Sequence, residues 1–233
     1  MGVVVSRLKA AGLSLGMGLG LATGPATACE IALVLAIDVS GSVNPDEYQL
    51  QMDGLAAALN DGAVSEALVR SQASVMVMQW TGQSRQDITV PWRKIKTFED
   101  VDNLGLDVMT ATRAWRSFST AIGEALQVAL DSFDEVPECL ARTIDVSGDG
   151  VSNEGVAPQE IWPALRAAEV TVNALAIESD FAGLTQYFRG NVITGPGSFA
   201  MTAKNHEDYP RAIRQKLLRE ITKQTASLPI IDE

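Results

Sequence analysis

An uncharged apolar run covers residues 31–37 (Ile-Ala-Leu-Val-Leu-Ala-Ile) and is followed at once by Asp38 and Ser40. A run of this length, partly β-branched and bounded by polar and glycine residues, predicts a strand that is buried on both faces. Strands of this kind lie in the middle of parallel sheets. We therefore expect this segment to be the central strand of the fold.

Five further segments predict strands, and helical segments separate most of them. Asn44, followed by Pro45 and two acidic residues, is typical of a helix N-terminus. Strands that alternate with helices of about ten to fifteen residues predict a doubly wound α/β sheet. The other predicted strands are Ser74–Trp80, residues 86–92, residues 143–147, Val170–Ile177 and a short strand within residues 191–201; the predicted helices are residues 45–60, 98–109, 121–133, 158–169, 181–188 and 206–224.

The second and third predicted strands, Ser74–Trp80 and residues 86–92, form a hairpin in this interpretation. Their connection through residues 81–84 is short, and residues 86–92 alternate between polar and apolar side chains. Pro91 near the end of that strand is compatible only with a sheet edge. The third strand is therefore predicted to be an antiparallel edge strand.

The N-terminal segment predicts a secretory signal. Arg7 and Lys9 precede an apolar, Gly- and Ala-rich stretch at residues 10–22, and Ala26-Thr27-Ala28 has the small-x-small form of a cleavage site. A transmembrane anchor would need about 20 apolar residues. The predicted divisions are a signal at residues 1–28, a domain at residues 29–225 and a loose tail at residues 226–233.

Cleavage after Ala28 would leave Cys29 as the first residue, so lipid anchoring at Cys29 is an alternative, although the lipoprotein pattern normally has a Leu-like residue where Ala26 stands. No second apolar stretch is long enough to span a bilayer. The 233-residue chain has a net charge of −11, which argues against nucleic acid or anionic lipid as a partner. We expect a soluble, acidic protein exported to the periplasm or the extracellular space.

Cys29 and Cys139 are the only cysteines. An oxidising compartment favours a disulfide between them. Each lies one or a few residues before a predicted strand, so both would lie at the amino-terminal edge of the sheet if those strands are parallel neighbours. Two unrelated buried thiols remain the alternative.

Oxygen-bearing side chains follow the first predicted strand. Asp38, Ser40 and Ser42 alternate along an extended segment, so their side chains point the same way. Ligands of open α/β sheets bind at the carboxyl ends of the strands. Hydroxyl and carboxylate oxygens suit Mg²⁺, with Mn²⁺ or Ca²⁺ as alternatives, better than zinc. The competing interpretation is that Asp38 and Ser40 only cap the next helix.

Two further segments complete a known pattern. Together with the first segment they resemble the metal-ion-dependent adhesion site of von Willebrand factor type A domains. The three segments are Asp38-Val39-Ser40-Gly41-Ser42, Ser119-Thr120-Ala121-Ile122-Gly123 and Ser147-Gly148-Asp149-Gly150. The resemblance covers essentially all of the chain after the signal, in the order and at the spacing of that family. It implies a six-stranded sheet in the order 3-2-1-4-5-6, with strand 3 antiparallel and strands 1 and 4 adjacent, and this adjacency supports the disulfide.

The resemblance also implies a site and a function. Ser40, Ser42 and Thr120 would ligate the metal directly, and Asp38 and Asp149 would hold it largely through water. The open coordination position would take a carboxylate from a partner protein. The implied function is an exported, non-enzymatic protein-binding module like the stand-alone bacterial members of this class. A maturation factor for an envelope complex is an alternative, and so is a hydrolase with Asp38 as nucleophile.

Some residues near these segments carry weaker predictions. Arg113, Trp115, Arg116 and Asn153 are candidates for the ligand-binding surface; the competing interpretation is core packing for Trp115, a solvated rim for the arginines and a polar loop for Asn153. Asp145 is interpreted as a hydrogen-bonded residue beneath the site rather than as a second metal ligand. His206, the only histidine, is predicted in the last helix and away from the site, which argues against a hydrolase.

Overall fold

Six strands form one sheet in the spatial order β3-β2-β1-β4-β5-β6. The structure, a computed structural model, describes residues 1–2, 29–179 and 181–227, so the predicted signal and most of the tail lie outside the described residues. All neighbouring strands are parallel except β2 and β3. The predicted strand order and the antiparallel third strand are confirmed. The strands are β1 (Ile31–Asp38), β2 (Ser74–Trp80), β3 (Gln86–Lys94), β4 (Ala141–Gly148), β5 (Val170–Ile177) and β6 (Ala200–Ala203).

Helices cover both faces of the sheet, as a doubly wound fold requires. One hydrophobic cluster contains side chains of α1, α2, α3 and α7, and the other contains side chains of α4, α5 and α6. In the described part of the chain, no helix has the length and apolar character needed to span a bilayer. The helices are α1 (Pro45–Leu59), α2 (Gly62–Arg70), α3 (Phe98–Thr110), α4 (Ile122–Ser132), α5 (Pro158–Ala167), α6 (Leu184–Asn191) and α7 (Tyr209–Ser227).

Strand β1 is buried on both faces along its whole length. Its odd-numbered residues pack in the first cluster and its even-numbered residues in the second, because side chains alternate along a strand. The strand therefore connects the two halves of the core. Its last residue, Asp38, lies at the carboxyl edge of the sheet, next to the loops that lead to the surface. The polar site is therefore at this edge.

The structure differs from the sequence predictions mainly at helix boundaries. Only one helix, at residues 45–60, is predicted between the first two strands, but a second helix, α2, follows it; Asp61 caps α2, because its Oδ1 accepts from the backbone N–H of Ala63 and Val64. The last predicted helix begins with a separate 3₁₀ turn, His206–Asp208, before α7 starts. Capping residues mark both the end and the beginning of helices, so the local pattern did not reveal α2.

Cys29 and Cys139 form a disulfide at the amino-terminal edge of the sheet. The backbone N–H of Leu140 donates to the carbonyl of Cys29, beside the first residues of β1 and β4. This edge is opposite to the one at which Asp38 lies, so the bond stabilises the fold without contacting the site.

A buried ion cluster attaches α7 to the middle of the sheet. Lys216 Nζ lies 2.5 Å from Asp145 Oδ1 and 2.7 Å from Glu220 Oε1, and each of the three side chains is at most 1% exposed. One ammonium group cannot neutralise two carboxylates. Burial and the charge of Asp145 accordingly raise the pKa of Glu220 to about 8. Asp145 therefore has an ion-pair role in the core.

The cluster predicts a pH-dependent stability. Because the pKa of Glu220 is raised from 4.5 to about 8 on folding, its protonated form stabilises the native state below the unfolded-state pKa, and this contribution is lost as the pH rises through about 8. We expect the free energy of unfolding to fall between about pH 5 and about pH 9 in the unmodified protein, and to fall less in Glu220→Gln. Urea unfolding across this range measures it, with the exposed Glu207→Gln as control. Identical pH profiles for the protein and Glu220→Gln would contradict the assignment.

Candidate metal centre

The loop after β1 carries three of the predicted ligands. Asp38 pairs with Trp80 of β2 in the sheet register and is fully buried, and its Oδ1 accepts from the backbone N–H of Ser40 at 2.7 Å. Ser40 is also buried, whereas Ser42 is exposed. The loop therefore runs from the core to the surface within five residues.

Asp149 directly follows the neighbouring strand β4 and joins this loop. Ser42 Oγ donates to Asp149 Oδ1 at 2.6 Å, and the hydroxyls of Ser40 and Ser42 are hydrogen-bonded at 3.2 Å. β1 and β4 are parallel neighbours, so their carboxyl ends meet at the same edge. The sheet topology thus brings together residues that are 107 positions apart in the chain.

Gly148 provides the space for this convergence. A Cβ at that position would lie only 2.9 Å from Asp38 Oδ2 and 3.5 Å from the Trp80 ring. Any larger residue would push β4 away from the carboxylate of Asp38. Glycine therefore allows the closest approach of the two strand ends.

Thr120 is placed by contacts between two loops. Its backbone N–H donates to Asn153 Oδ1 at 2.9 Å, and its carbonyl accepts from the backbone N–H of Asn153 at 2.9 Å. The side chain is 5% exposed, and a Cβ built on Gly150 would lie 3.6 Å from Thr120 Oγ1. Thr120 thus lies beside the Asp149 loop, as the family pattern implies.

The electrostatics of the site are unfavourable without a positive charge. Burial, followed by the charge of Asp149, raises the pKa of Asp38 to about 7, and burial is also the main reason that the pKa of Asp149 is raised. Asp38 Oδ2 is buried and has no hydrogen-bond partner. A cation or a water molecule bound to one would satisfy this oxygen and separate the two carboxylates.

The donor set fits a divalent cation held partly by hydroxyl oxygens. Among the described residues, no group of three or more His, Cys, Asp or Glu side chains is arranged to hold a metal ion. A cation would therefore need Ser40, Ser42 and Thr120 as ligands beside the carboxylates, which is the arrangement predicted from the sequence. Oxygen donors of this kind are suited to hard divalent ions.

The four surface candidates have different environments. Arg113 donates from one guanidinium nitrogen to the carbonyls of Val39 and Ser40, both at 2.9 Å, and so braces the loop of the site. Trp115 is partly buried against the core, whereas Arg116 is exposed. Asn153 uses its side-chain oxygen on Thr120. Arg116 is therefore the candidate whose side chain is most available to a ligand.

His206 lies beside the site, and the prediction that it would be distant is wrong. Its Nε2 is 4.0 Å from Asp149 Oδ2, and its Nδ1 is 3.4 Å from Glu47 Oε1. Neither Glu47 nor His206 is among the site residues that the sequence pattern predicts. The signal that could have revealed His206 is its place just after the last strand, because all parallel strands end at one edge.

Sequence comparison finds one family. The family model described as "Protein of unknown function (DUF1194)" matches residues 28–225. No curated protein matches the chain significantly.

Solved structures with the same fold come from several proteins. Proximal thread matrix protein 1 from the mussel byssus, solved with a zinc-occupied MIDAS motif, is 21% identical with a TM-score of 0.64; the match covers 88% of this chain and 50% of that one. A von Willebrand factor type A protein from Catenulispora acidiphila is 16% identical, covering 84% and 42% of the two chains, with a TM-score of 0.59. The conserved hypothetical protein BatB from Bacteroides thetaiotaomicron is 19% identical, covering 84% and 100%, with a TM-score of 0.53.

These similarities show a von Willebrand factor type A fold. This chain spans about half the length of the mussel protein.

Replacing the buried carboxylate of Asp38 by an amide is expected to maintain or raise the stability of the metal-free protein and to reduce its stabilisation by metal ions. Asp38→Asn keeps the acceptor for Ser40 but removes a buried charge, so we expect the metal-free variant to be at least as stable as the unmodified protein near pH 8. A cation at about 100 times its Kd should stabilise the unmodified protein by about 2.7 kcal/mol and Asp38→Asn by much less.

Thermal unfolding with EDTA, Mg²⁺, Mn²⁺ or Zn²⁺ measures both effects. Asp102→Asn, an exposed change on α3, is the matched control and should respond like the unmodified protein. An equal response of Asp38→Asn to the cations would contradict a metal site at this position.

Proposed function

The chain belongs to the DUF1194 family, a von Willebrand factor type A-like family of unknown function, and from this premise we propose that it is an exported module that binds a partner protein through a divalent cation. The observation that carries the proposal is the hydrogen-bonded convergence of Ser40, Ser42 and Asp149 beside Asp38 at the carboxyl edge of the sheet. The mussel protein, with zinc in its MIDAS motif, supports a divalent cation at a site of this type.

The chemistry of the ligand follows from the donor set. Neutral hydroxyls of Ser40, Ser42 and Thr120 would leave the cation with most of its positive charge. Such an ion favours an anionic oxygen at its open position. Because Ser42 is exposed while Asp38 is buried, that position faces solvent. The ligand in this proposal is an Asp or Glu carboxylate of a partner protein, with Arg116 at the rim of the contact.

The compartment in which the protein acts is also part of the proposal. The disulfide between Cys29 and Cys139 supports an oxidising compartment, the periplasm or the extracellular space. An assembly or maturation factor for an envelope complex would use the same cation and the same carboxylate recognition. The two roles differ in the partner rather than in the site.

A hydrolase is the second candidate, because His206 is close to Asp149 and a histidine can act as a general acid or base. However, the supposed nucleophile Asp38 is fully buried, and its Oδ1 is engaged by the N–H of Ser40. A substrate atom could reach Asp38 only if the loop opened. Carboxylate binding at the exposed side of the site requires no such change, so we favour the binding module.

Partner binding is expected to require both the cation and Asp149. Three immobilised proteins are compared: the unmodified full chain, Asp149→Ala and the control Asp102→Ala. Each is incubated with an envelope extract in Mg²⁺, in Zn²⁺ or in EDTA. We expect a partner retained by the unmodified protein and by Asp102→Ala in at least one cation, with a loss of about 2–5 kcal/mol of binding free energy in EDTA or with Asp149→Ala. Replacing the partner's contacting Asp or Glu by the amide should have the same effect. Equal recovery under all conditions would contradict the proposal.

Export predicts a defined chemical form of the protein. Protein from the envelope fraction should begin at Cys29 and contain the Cys29–Cys139 bond, which mass spectrometry with and without reduction measures. The 110-residue separation of these cysteines implies that reduction lowers the free energy of unfolding by about 2–5 kcal/mol. Recovery of the intact chain, with residues 1–28 and free thiols, from the cytoplasm would contradict export.

A further inference from the structure

The backbone around His206 is held by a helix cap that does not involve the His206 side chain. The residue opens a 3₁₀ turn that Asn205 caps, because Asn205 Oδ1 accepts from the backbone N–H of Asp208 at 3.0 Å. The side chain is 2% exposed and lies between α1 and the Asp149 loop. Its imidazole therefore has a fixed orientation toward the site.

One ring nitrogen lies beside two oxygen atoms, and with Ser179 either atom can be the donor. Nδ1 lies 3.4 Å from Glu47 Oε1 and 3.2 Å from Ser179 Oγ. The other oxygen of Glu47 accepts from the backbone N–H of Asn44 at 2.7 Å, so the carboxylate is itself held by the cap of α1. An ionised carboxylate can only accept hydrogen bonds, so a neutral ring with its proton on Nδ1 avoids a lone pair facing Glu47.

The other ring nitrogen faces the site with a free lone pair in this tautomer. Nε2 is buried, has no hydrogen-bond partner and lies 4.0 Å from Asp149 Oδ2. A lone pair opposite a carboxylate oxygen is repulsive unless an electrophile lies between them. Zinc binds imidazole nitrogen at about 2.0–2.1 Å and carboxylate oxygen at about 2.0–2.2 Å, so the two donors share one tetrahedral ion once they approach each other by about 0.6 Å.

The contacts on both sides of the ring match those of a metal-bound histidine. Histidine ligands almost always donate their second ring N–H to a carboxylate, a carbonyl or water, which fixes the tautomer. Here the carboxylate of Glu47 lies 3.4 Å from Nδ1, and the hydroxyl of Ser179 is hydrogen-bonded to the same nitrogen. Imidazole nitrogen favours zinc and other first-row transition ions, whereas Mg²⁺ and Ca²⁺ prefer oxygen alone.

We propose that His206 Nε2 is a ligand of the cation site, on the side of Asp149, and that the site therefore takes Zn²⁺ or a similar transition-metal ion in preference to Mg²⁺. The inference rests on the cation site of the proposed function and changes the metal expected from the sequence. Ser40 and Ser42 contribute the hydroxyl side of the site, and Glu47 is a positioning residue that acts through His206.

The single histidine makes a direct test feasible. Full chain labelled with ¹⁵N-histidine gives one imidazole, and long-range ¹H–¹⁵N spectra report both of its nitrogens in metal-free protein, in Zn²⁺ and in Mg²⁺. We expect Zn²⁺ to shift the Nε2 resonance to that of a metal-bound nitrogen, with Nδ1 protonated throughout, and Mg²⁺ to leave Nε2 unbound. An Nε2 resonance that Zn²⁺ leaves unchanged while it binds would overturn the inference.

A selectivity measurement gives an independent result. Titration calorimetry with Zn²⁺ and Mg²⁺ compares the protein with His206→Gln and with Glu207→Gln, its exposed neighbour. We expect His206→Gln to lose about 10- to 100-fold in Zn²⁺ affinity with little change for Mg²⁺, and Glu207→Gln to change neither. The spectra of the unmodified protein decide the question if His206→Gln does not fold.

The outcomes separate this inference from the proposed function. Cation binding with an unperturbed Nε2 resonance, or with unchanged Zn²⁺ selectivity in His206→Gln, overturns the role of His206 and leaves the binding module intact. Absence of binding for every cation tested overturns both.

Discussion

The site depends on two buried carboxylates that are held close together. Asp38 ends β1, Asp149 directly follows the neighbouring parallel strand β4, and Gly148 leaves room for the Asp38 carboxylate beside β4. Burial is the main cause that raises the pKa of both, so ionising them in the metal-free arrangement costs folding free energy. The backbone N–H of Ser40 and the hydroxyl of Ser42 offset part of this cost. A divalent cation would offset the rest, which is the physical link between the fold and its proposed function.

The buried ion cluster in the core has a related consequence for the site. Strand β4 carries Asp145 in its middle and leads to Asp149 at its end, and Lys216 attaches α7 to that strand. Helix α7 begins three residues after His206. The ion pair therefore fixes the helix that follows the His206 turn, and the position of the imidazole beside Asp149 depends on a contact made in the core.

The environment of the site combines hard and softer donors. Hydroxyl and carboxylate oxygens come from the loops after β1 and β4, and the imidazole nitrogen comes from the turn after β6. The oxygens by themselves favour Mg²⁺ or Ca²⁺, whereas the nitrogen favours a transition metal. In the proposed site, metal choice would thus depend on one side chain, and carboxylate recognition would depend on the exposed face near Ser42.

The sequence by itself determined the strands, the order of the sheet through the family pattern, and the convergence of Asp38, Ser40, Ser42 and Asp149. These features follow from local apolar runs and from the rule that parallel strands end at one edge. Only the tertiary structure showed the roles of Lys216 and His206. In sequence, Lys216 is an ordinary lysine of an amphipathic helix, and the two carboxylates beside His206, those of Asp149 and Glu47, lie 57 or more residues away. Such contacts depend on how helices pack on the sheet, which local patterns do not specify.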